Sequence, residues 1–146
     1  MTRKVTLFHV CAFEIALILL VPLSSNSFAL SNGQLYQYCK PFADRAFEAK
    51  TNDDLTCVTY FRGVADSGVL TCNSLKGVIA SPKLSLEQKI VGRAIMESEG
   101  LGPASGAQLK PAIQIFVIGM AESPEKWEEI AVSFAHDSLR KVTPCK

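Results

Sequence analysis

The cysteine residues restrict the fold of this chain more than any other feature of its sequence. The chain has five cysteines among 146 residues, and an odd number leaves one of them without a partner inside the chain. Cys11 stands apart because it lies in an apolar N-terminal segment, whereas the others are Cys39, Cys57, Cys72 and Cys145. The fate of the N-terminal segment therefore decides whether all the remaining cysteines pair.

The N-terminal segment is typical of a secretory signal peptide. Arg3 and Lys4 give it a basic start, and an apolar stretch follows that is densest at residues 15–21. The sequence ending at Ala29 has the small-x-small pattern of a signal peptidase site, so we expect cleavage after this residue. The alternative is an uncleaved anchor, but Glu14 interrupts the apolar stretch and argues against a stable membrane span.

Removal of the first 29 of 146 residues leaves a mature chain of 117 residues with four cysteines. An even number in an exported chain predicts two disulfide bonds formed in an oxidising compartment. Three connectivities are open, and the spacing of the cysteines does not choose among them. Thirteen basic residues balance thirteen acidic residues in the mature chain. This balance gives no attraction for nucleic acid, and we expect neither nucleic acid nor, after cleavage, a membrane as a partner.

The mature chain predicts four or five helices and no strand, which makes it a small all-α bundle. The first helix is predicted from residues at helical spacing, which are Leu35, Cys39, Phe42 and Ala46. Pro41 lies among them and either kinks this helix or opens a second one. Asp54 is expected to be the N-cap of the next helix.

That next helix contains Gly63 and Gly68. A glycine inside a helix lowers stability, and it is usually tolerated where another backbone approaches closely. Cys57, Tyr60 and Val64 share one face of this helix, because their spacing matches the helical period. We expect that face to lie in the core.

Two later helices are predicted from capping boxes, which are Ser85 with Gln88 and Ser105 with Gln108. The first has an apolar face formed by Leu86, Ile90, Ala94 and Ile95. The second leads into the apolar run at residues 113–118, which we interpret as a buried helix and not as a strand, because a cap precedes it and no partner strand is evident.

The last helix is predicted to begin at Ser123 as the N-cap, with Pro124 at the first helical position. Its apolar stripe consists of Trp127, Ile130, Ala131 and Phe134. Pro144 is expected to follow the end of this helix, just before the last cysteine.

Few residues of the mature chain suit catalysis. His136 is its only histidine, and we expect it to be a solvated side chain on the polar face of the last helix. Adjacent acids such as Asp53 and Asp54 are typical of caps and solvated surfaces, and no two cysteines have the spacing of a zinc site. We therefore predict a stapled binding domain and not an enzyme, with no cofactor and no metal ion.

Several short motifs resemble the Rap/Tai family of type VI secretion immunity proteins. In the N-terminal half the motif is Leu35-x-x-x-Cys39, then Cys57-x-x-Tyr60-x-x-Gly63-Val64-x-Asp66. In the C-terminal half the matching features are Pro103, Gln108, a long apolar helix, Ser123-Pro124-Glu125-Lys126-Trp127 and Pro144-Cys145. The resemblance covers most of residues 30–146. Its motif residues, expected to be structural, are Tyr60, Gly63, Asp66, Pro124, Trp127 and Pro144.

The resemblance implies a small helical periplasmic protein, often a homodimer, that binds and blocks a secreted peptidoglycan amidase effector. In one branch of the family a protruding loop plugs the active-site cleft of the effector. The residues assigned here to partner binding form a glycine-rich loop, which consists of Gly100, Leu101, Gly102 and Pro103. The alternative is a plain connection between helices. If the loop binds, Leu101→Arg should weaken binding without unfolding the protein.

The chain departs from the family pattern at Leu101, where members commonly carry a cysteine two residues before the matching proline. Cys72 lies instead in a longer stretch that precedes this position. With the family as a guide we prefer two pairs, Cys39 with Cys57 and Cys72 with Cys145. The first would staple two consecutive helices, and the second would tie the C-terminus back to the domain.

Two other functions stay open at the level of sequence. One is a periplasmic helical chaperone or structural helper without an effector partner, although its balanced charge argues against acid-driven activation. The other is an enzyme that uses buried carboxylates, for which Asp66 is the residue to test; otherwise Asp66 should hydrogen-bond a nearby helix end. Tyr60 and Trp127 are expected to anchor the core or a dimer interface.

Overall fold

A computed structural model describes residues 29–146. The predicted signal peptide, including Cys11, lies outside the described residues except for Ala29. The described chain has five α-helices, one 3₁₀ turn and no β-strand. The helices are α1 (Asn32–Asp44), α2 (Asn52–Ile79), α3 (Leu86–Glu99), α4 (Gly106–Glu122) and α5 (Ala131–Arg140), and the 3₁₀ turn is Pro124–Lys126. The predictions of an all-α fold and of four or five helices are confirmed for this part of the chain.

The hydrophobic core lies where α1, the first half of α2, α4 and α5 pack against one another. Phe61 of α2 and Phe116 of α4 are fully buried and meet edge to face, with ring centroids 5.5 Å apart. Phe134 of α5 also contacts Phe116, with centroids 5.9 Å apart. Burial of one such side chain stabilises a fold by about 2 kcal/mol. These three rings therefore join α2, α4 and α5.

Capping boxes stand at the starts of α1 to α4, but not at α5, whose N-cap position is Ile130. Both predicted capping boxes are confirmed, and in the second the Gln108 side chain accepts the N–H of Ser105 at 2.9 Å. The prediction that Asp54 is an N-cap is wrong by three positions. Thr51 has the extended backbone of an N-cap, with φ −129° and ψ 165°, and Asp54 is its partner in the first turn of α2. A residue type that suits a cap also suits the first turn, so the sequence left both positions open.

The end of α1 also differs from the prediction. Pro41 lies inside one continuous helix and does not open a second, and the helix ends at Asp44, before Ala46. Ala46 and Phe47 have φ values of 54° and 65°. This left-handed pair reverses the chain, so that the Phe47 ring meets Phe42 edge to face with centroids 5.4 Å apart. The tertiary contact replaces a further turn of helix.

The predicted last helix is wrong at its start, because α5 begins only after the 3₁₀ turn at Pro124–Lys126 and a short non-helical segment at 127–130, which turns and is extended only at Ile130. The backbone of that segment makes tertiary hydrogen bonds instead of helical ones. The N–H of Asn32 donates to the Glu129 carbonyl at 2.8 Å, and the N–H of Gly33 donates to the Trp127 carbonyl at 2.9 Å. The first N–H groups of a helix have no partner inside it. The segment therefore caps α1, and it could not do so as a helix.

α2 and α3 form a hairpin that extends beyond the core. α2 has 28 residues, which corresponds to about 42 Å, and none of its residues after Cys72 is buried. Among the described helices only α2 packs against α3. None of the helices in the described part of the chain is long and apolar enough to cross a membrane.

Two disulfide bonds staple this architecture. Cys39–Cys57 joins α1 to α2, and Cys72–Cys145 joins α2 to the C-terminal segment. These are the two pairs preferred on the basis of the family resemblance. The paired residues are separated by 18 and 73 positions, and closing loops of these lengths stabilises a fold by about 3 and about 4 kcal/mol in the chain-entropy model.

Candidate partner-binding surface

The loop that was predicted to bind a partner is held tightly against the domain. Gly100 and Leu101 are buried, Leu101 completely, while Gly102 is half-buried and Pro103 is exposed. The assignment is therefore wrong for Gly100 and Leu101, which a partner cannot reach in this fold. The full burial of Leu101 argues against the expectation that Leu101→Arg leaves the protein folded, because the substitution would bury a charge without a partner.

Backbone hydrogen bonds and a glycine fix this loop on α2. The N–H of Leu101 donates to the Gly68 carbonyl at 3.1 Å. A Cβ placed on Gly68 would lie only 2.5–2.7 Å from three carbons of the Leu101 side chain. The close approach expected for a glycine within α2 is therefore confirmed at Gly68. At Gly63 it is wrong, since a Cβ there would meet nothing within 4 Å.

The second disulfide anchors the same loop from the other side. The N–H of Gly102 donates to the Thr143 carbonyl at 2.7 Å, and the N–H of Cys145 donates to the Gly100 carbonyl at 3.3 Å. Cys145 is in turn bonded to Cys72 of α2. The loop, the C-terminus and α2 therefore form one cross-linked unit.

A groove lies beside this unit, between the last turn of α3 and α5. Its volume is about 370 Å³, and it is lined by Ser98, Glu99, Val132, Ser133, His136, Asp137 and Arg140. Nε2 of His136 donates to the Glu99 carbonyl at 2.9 Å. Nη2 of Arg140 pairs with Oδ1 of Asp137 at 3.2 Å. The groove thus combines hydrogen-bond donors and acceptors with an apolar side chain, that of Val132, which is 46% exposed.

The groove brings together residues that the sequence did not connect. His136 was expected to be solvated, but it is half-buried and hydrogen-bonded to α3. Nucleophilic catalysis needs a hydroxyl or thiol within reach of a base, and Nε2 of His136 faces a backbone carbonyl. All four cysteines of the described residues are in disulfides, and this part of the chain contains no group of three or more potential metal ligands. The side chains that line the groove can form hydrogen bonds with a partner.

Asp54 is the one fully buried carboxylate among the described residues, and it lies at the start of α2. Its Oδ2 accepts the N–H groups of Lys50 and Thr51, each at 2.8 Å, and Oδ1 pairs with Arg45. The Lys50 N–H is the main cause that lowers the pKa of Asp54 to about 2; burial opposes it, and Thr51 and Arg45 act in the same direction as Lys50. This carboxylate therefore organises the turn between α1 and α2.

The other residues named from the family motif are dispersed. Asp66 is exposed and forms an ion pair with Nε of Arg62 at 3.4 Å, so the expected bond to a helix end is wrong, and Asp66 is not the buried carboxylate that an enzyme would need. Nε1 of Trp127 donates to the Met120 carbonyl at 2.9 Å, and the ring packs against the core. Tyr60 is also packed against the core, and its partial burial raises its pKa. Tyr60 and Trp127 thus serve the core, one of the two expected roles.

α3 turns an apolar face away from the domain. Its half-buried residues are Lys89, Gly92 and Met96, and a Cβ on Gly92 would lie 3.0 Å from the Ile79 side chain of α2. The opposite side, which we call the α3 outer face, consists of Leu86, Ile90, Val91, Ala94 and Ile95. The exposed fractions of its larger side chains range from 44% at Ile95 to 75% at Leu86. A helix of a globular domain normally turns such a face towards its own core.

Comparison of the chain with protein-family models, with curated proteins and with solved structures finds no significant match.

Proposed function

We propose that this chain is an exported, periplasmic immunity-type protein that binds and inhibits a peptidoglycan amidase effector of type VI secretion. The observation that carries the proposal is the groove between α3 and α5, whose lining includes Glu99, the residue that directly precedes the loop assigned to partner binding. The resemblance of the motifs to the Rap/Tai family supplies the class of partner. Two disulfides support an oxidising compartment.

The groove has the anatomy of a protein interface. Such interfaces combine apolar contact with about one hydrogen bond per 100–200 Å², and here Val132 lies among the polar groups of His136, Asp137 and Arg140. The disulfide between Cys72 and Cys145 fixes the adjoining loop. A pre-organised surface loses little conformational freedom on binding, so more of the contact energy appears as affinity.

Affinity capture with a matched pair of variants tests this proposal. Val132 in the groove is 46% exposed and Ile118 on α4, outside the groove, is 48% exposed, so arginine at either position should leave the fold intact. Capture from cells with an active type VI system should recover an amidase with the wild type and with Ile118→Arg, but not with Val132→Arg. Recovery of no amidase by the wild type, or equal recovery by both variants, would overturn the proposal.

The α3 outer face favours a second candidate, a periplasmic helical chaperone, because exposed aliphatic side chains can hold unfolded clients. Two results together would favour this function: the wild type captures no amidase, and it suppresses client aggregation at low pH whereas Ile90→Asn does not. The homodimer implied by the family resemblance is tested separately by sedimentation of the mature protein.

A further inference from the structure

The tip of the α2–α3 hairpin is strongly basic, although the mature chain as a whole is neutral. Residues 76–93, which we call the hairpin tip, contain one acidic residue, Glu87, and four basic residues, which are Lys76, Lys83, Lys89 and Arg93. The net charge of the tip is therefore +3. Since the mature chain has thirteen residues of each sign, the rest of it carries −3. The basic tip therefore favours a partner of negative charge.

The same tip carries several exposed apolar side chains, among them the most exposed large one of the described residues, Leu86. Leu86, in the first turn of α3, is 75% exposed, and Ile90 and Val91 are 57% and 58% exposed. Lys83 and Arg93 are exposed beside them. Aliphatic side chains flanked by cations are the pattern of segments that lie in a lipid interface, where lysine stems pass along the apolar region and the ammonium groups reach the headgroups.

We infer that the hairpin tip docks on the surface of an anionic lipid bilayer, with the α3 outer face against the lipid. The net charge of +3 on the tip, to which the exposed Lys83 and Arg93 contribute, complements the negative surface potential of such a bilayer. The inference rests on the arrangement of the hairpin and does not depend on the proposed amidase partner.

Two other occupants fit the tip less well. Protein interfaces are enriched in aromatic residues and arginine and depleted in lysine, whereas the tip has no aromatic residue and three of its four cations are lysines. A second copy of the chain docked in the same way would place a charge of +3 against a charge of +3, which is unfavourable.

Two of the three acidic residues of α3 set the direction of docking, while the third, Glu87, lies in the tip among its four cations. Glu97 and Glu99 lie at the end of α3 next to the core, and they would be repelled by an anionic surface. α3 therefore meets the bilayer obliquely, with Leu86 and Ile90 deepest and Ile95 nearer to the aqueous side. This geometry predicts that substitutions at Leu86 affect binding more than substitutions at Ile95.

Vesicle flotation of the exported protein tests the inference, with vesicles of phosphatidylcholine alone and vesicles in which about a third of the lipid is phosphatidylglycerol. The protein should bind only the second kind, and binding should weaken as salt is added. Lys83→Gln should lower the partition coefficient about fivefold, the contribution of one cation near an anionic surface. Leu86→Asn should lower it about tenfold through loss of apolar burial.

Matched controls lie outside the tip. Leu70 on α2 is 69% exposed and Lys141 after α5 is exposed, so Leu70→Asn and Lys141→Gln should leave vesicle binding unchanged. All four changed side chains are exposed, so thermal unfolding should be that of the wild type.

Four results would overturn the inference: vesicle binding that is absent or is equal on both kinds of vesicle; equal vesicle binding by Leu86→Asn and Leu70→Asn; a dimer in sedimentation that Leu86→Asn dissociates; or capture of an acidic protein that is lost in Leu86→Asn while vesicle binding is unaffected. The third result would assign the tip to a second copy of the chain, and the fourth would assign it to a protein partner.

Discussion

Replacement of Gly68 by alanine tests how the loop after α3 is held, and Gly63 provides the control in the same helix. In an exposed helix interior, alanine is more stable than glycine by about 1 kcal/mol. At Gly63 the added methyl meets nothing within 4 Å, so Gly63→Ala should stabilise the protein by about that amount. At Gly68 the methyl would lie 2.5–2.7 Å from three carbons of Leu101, a side chain with no exposed surface.

Leu101 cannot move aside freely, because its N–H is bonded to the Gly68 carbonyl and the next residue is bonded to the C-terminal segment. Overpacking of this kind costs about 1–3 kcal/mol. After the helix gain of about 1 kcal/mol is subtracted, Gly68→Ala should range from nearly neutral to a loss of about 2 kcal/mol. The two variants should therefore differ by about 1–3 kcal/mol.

Urea unfolding with both disulfides intact measures this difference directly, since the free energy of unfolding falls linearly with denaturant. Thermal unfolding gives a second reading, with a shift of roughly 4 °C for each kcal/mol in a chain of this size. If Gly68→Ala and Gly63→Ala are stabilised equally, the loop does not lie against α2 and the buried position of Leu101 is incorrect.

Three further predictions concern stability. The pKa of Asp54 is lowered from 3.8 to about 2 in the folded state, so its stabilising effect is complete above pH 3.8 and is lost as the pH falls towards 2; Asp54→Asn should lower the Tm at neutral pH and make it less dependent on pH in this window. Leu101→Arg should unfold the protein or lower its free energy of unfolding by more than about 3 kcal/mol, and circular dichroism during urea titration would show this; a stable variant would restore the loop as a binding element. Replacement of Cys72 and Cys145 together by serine should cost about 4 kcal/mol and should increase hydrogen exchange at residues 100–102 before that in the core; uniform exchange would contradict the anchoring of the loop.

Local features of the sequence predicted a large part of this fold. The capping boxes at Ser85 and Ser105 and the apolar run at 113–118 are each decided by neighbouring residues. The structure agrees with these predictions, because the same hydrogen bonds and burial operate in any helical context.

The features that sequence missed depend on contacts between distant segments. The carbonyls of the non-helical segment before α5 accept the N–H groups at the start of α1, which is nearly a hundred positions away. No local sequence pattern at Trp127 indicates these contacts. The burial of Leu101 likewise depends on Gly68, a distant residue. The glycines on both sides of Leu101 instead favoured the prediction of an exposed loop.

The candidate groove could also not be predicted from the sequence. His136 was identified as the lone histidine, but its bond to the Glu99 carbonyl depends on where α3 ends relative to α5. The apolar residues of α3 were recognised, but a helical pattern does not say whether a face meets the core or solvent. Only the packing of α3 on α2 through Gly92 shows which way the face points.

The proposed function is tested most directly by measuring whether the protein inhibits the peptidoglycan hydrolysis that a captured amidase carries out. We expect the wild-type protein and Ile118→Arg to abolish hydrolysis when present in equal amount with the amidase, and Val132→Arg to leave hydrolysis largely intact. Undiminished hydrolysis in the presence of excess wild-type protein would contradict the proposal that this chain is an amidase inhibitor.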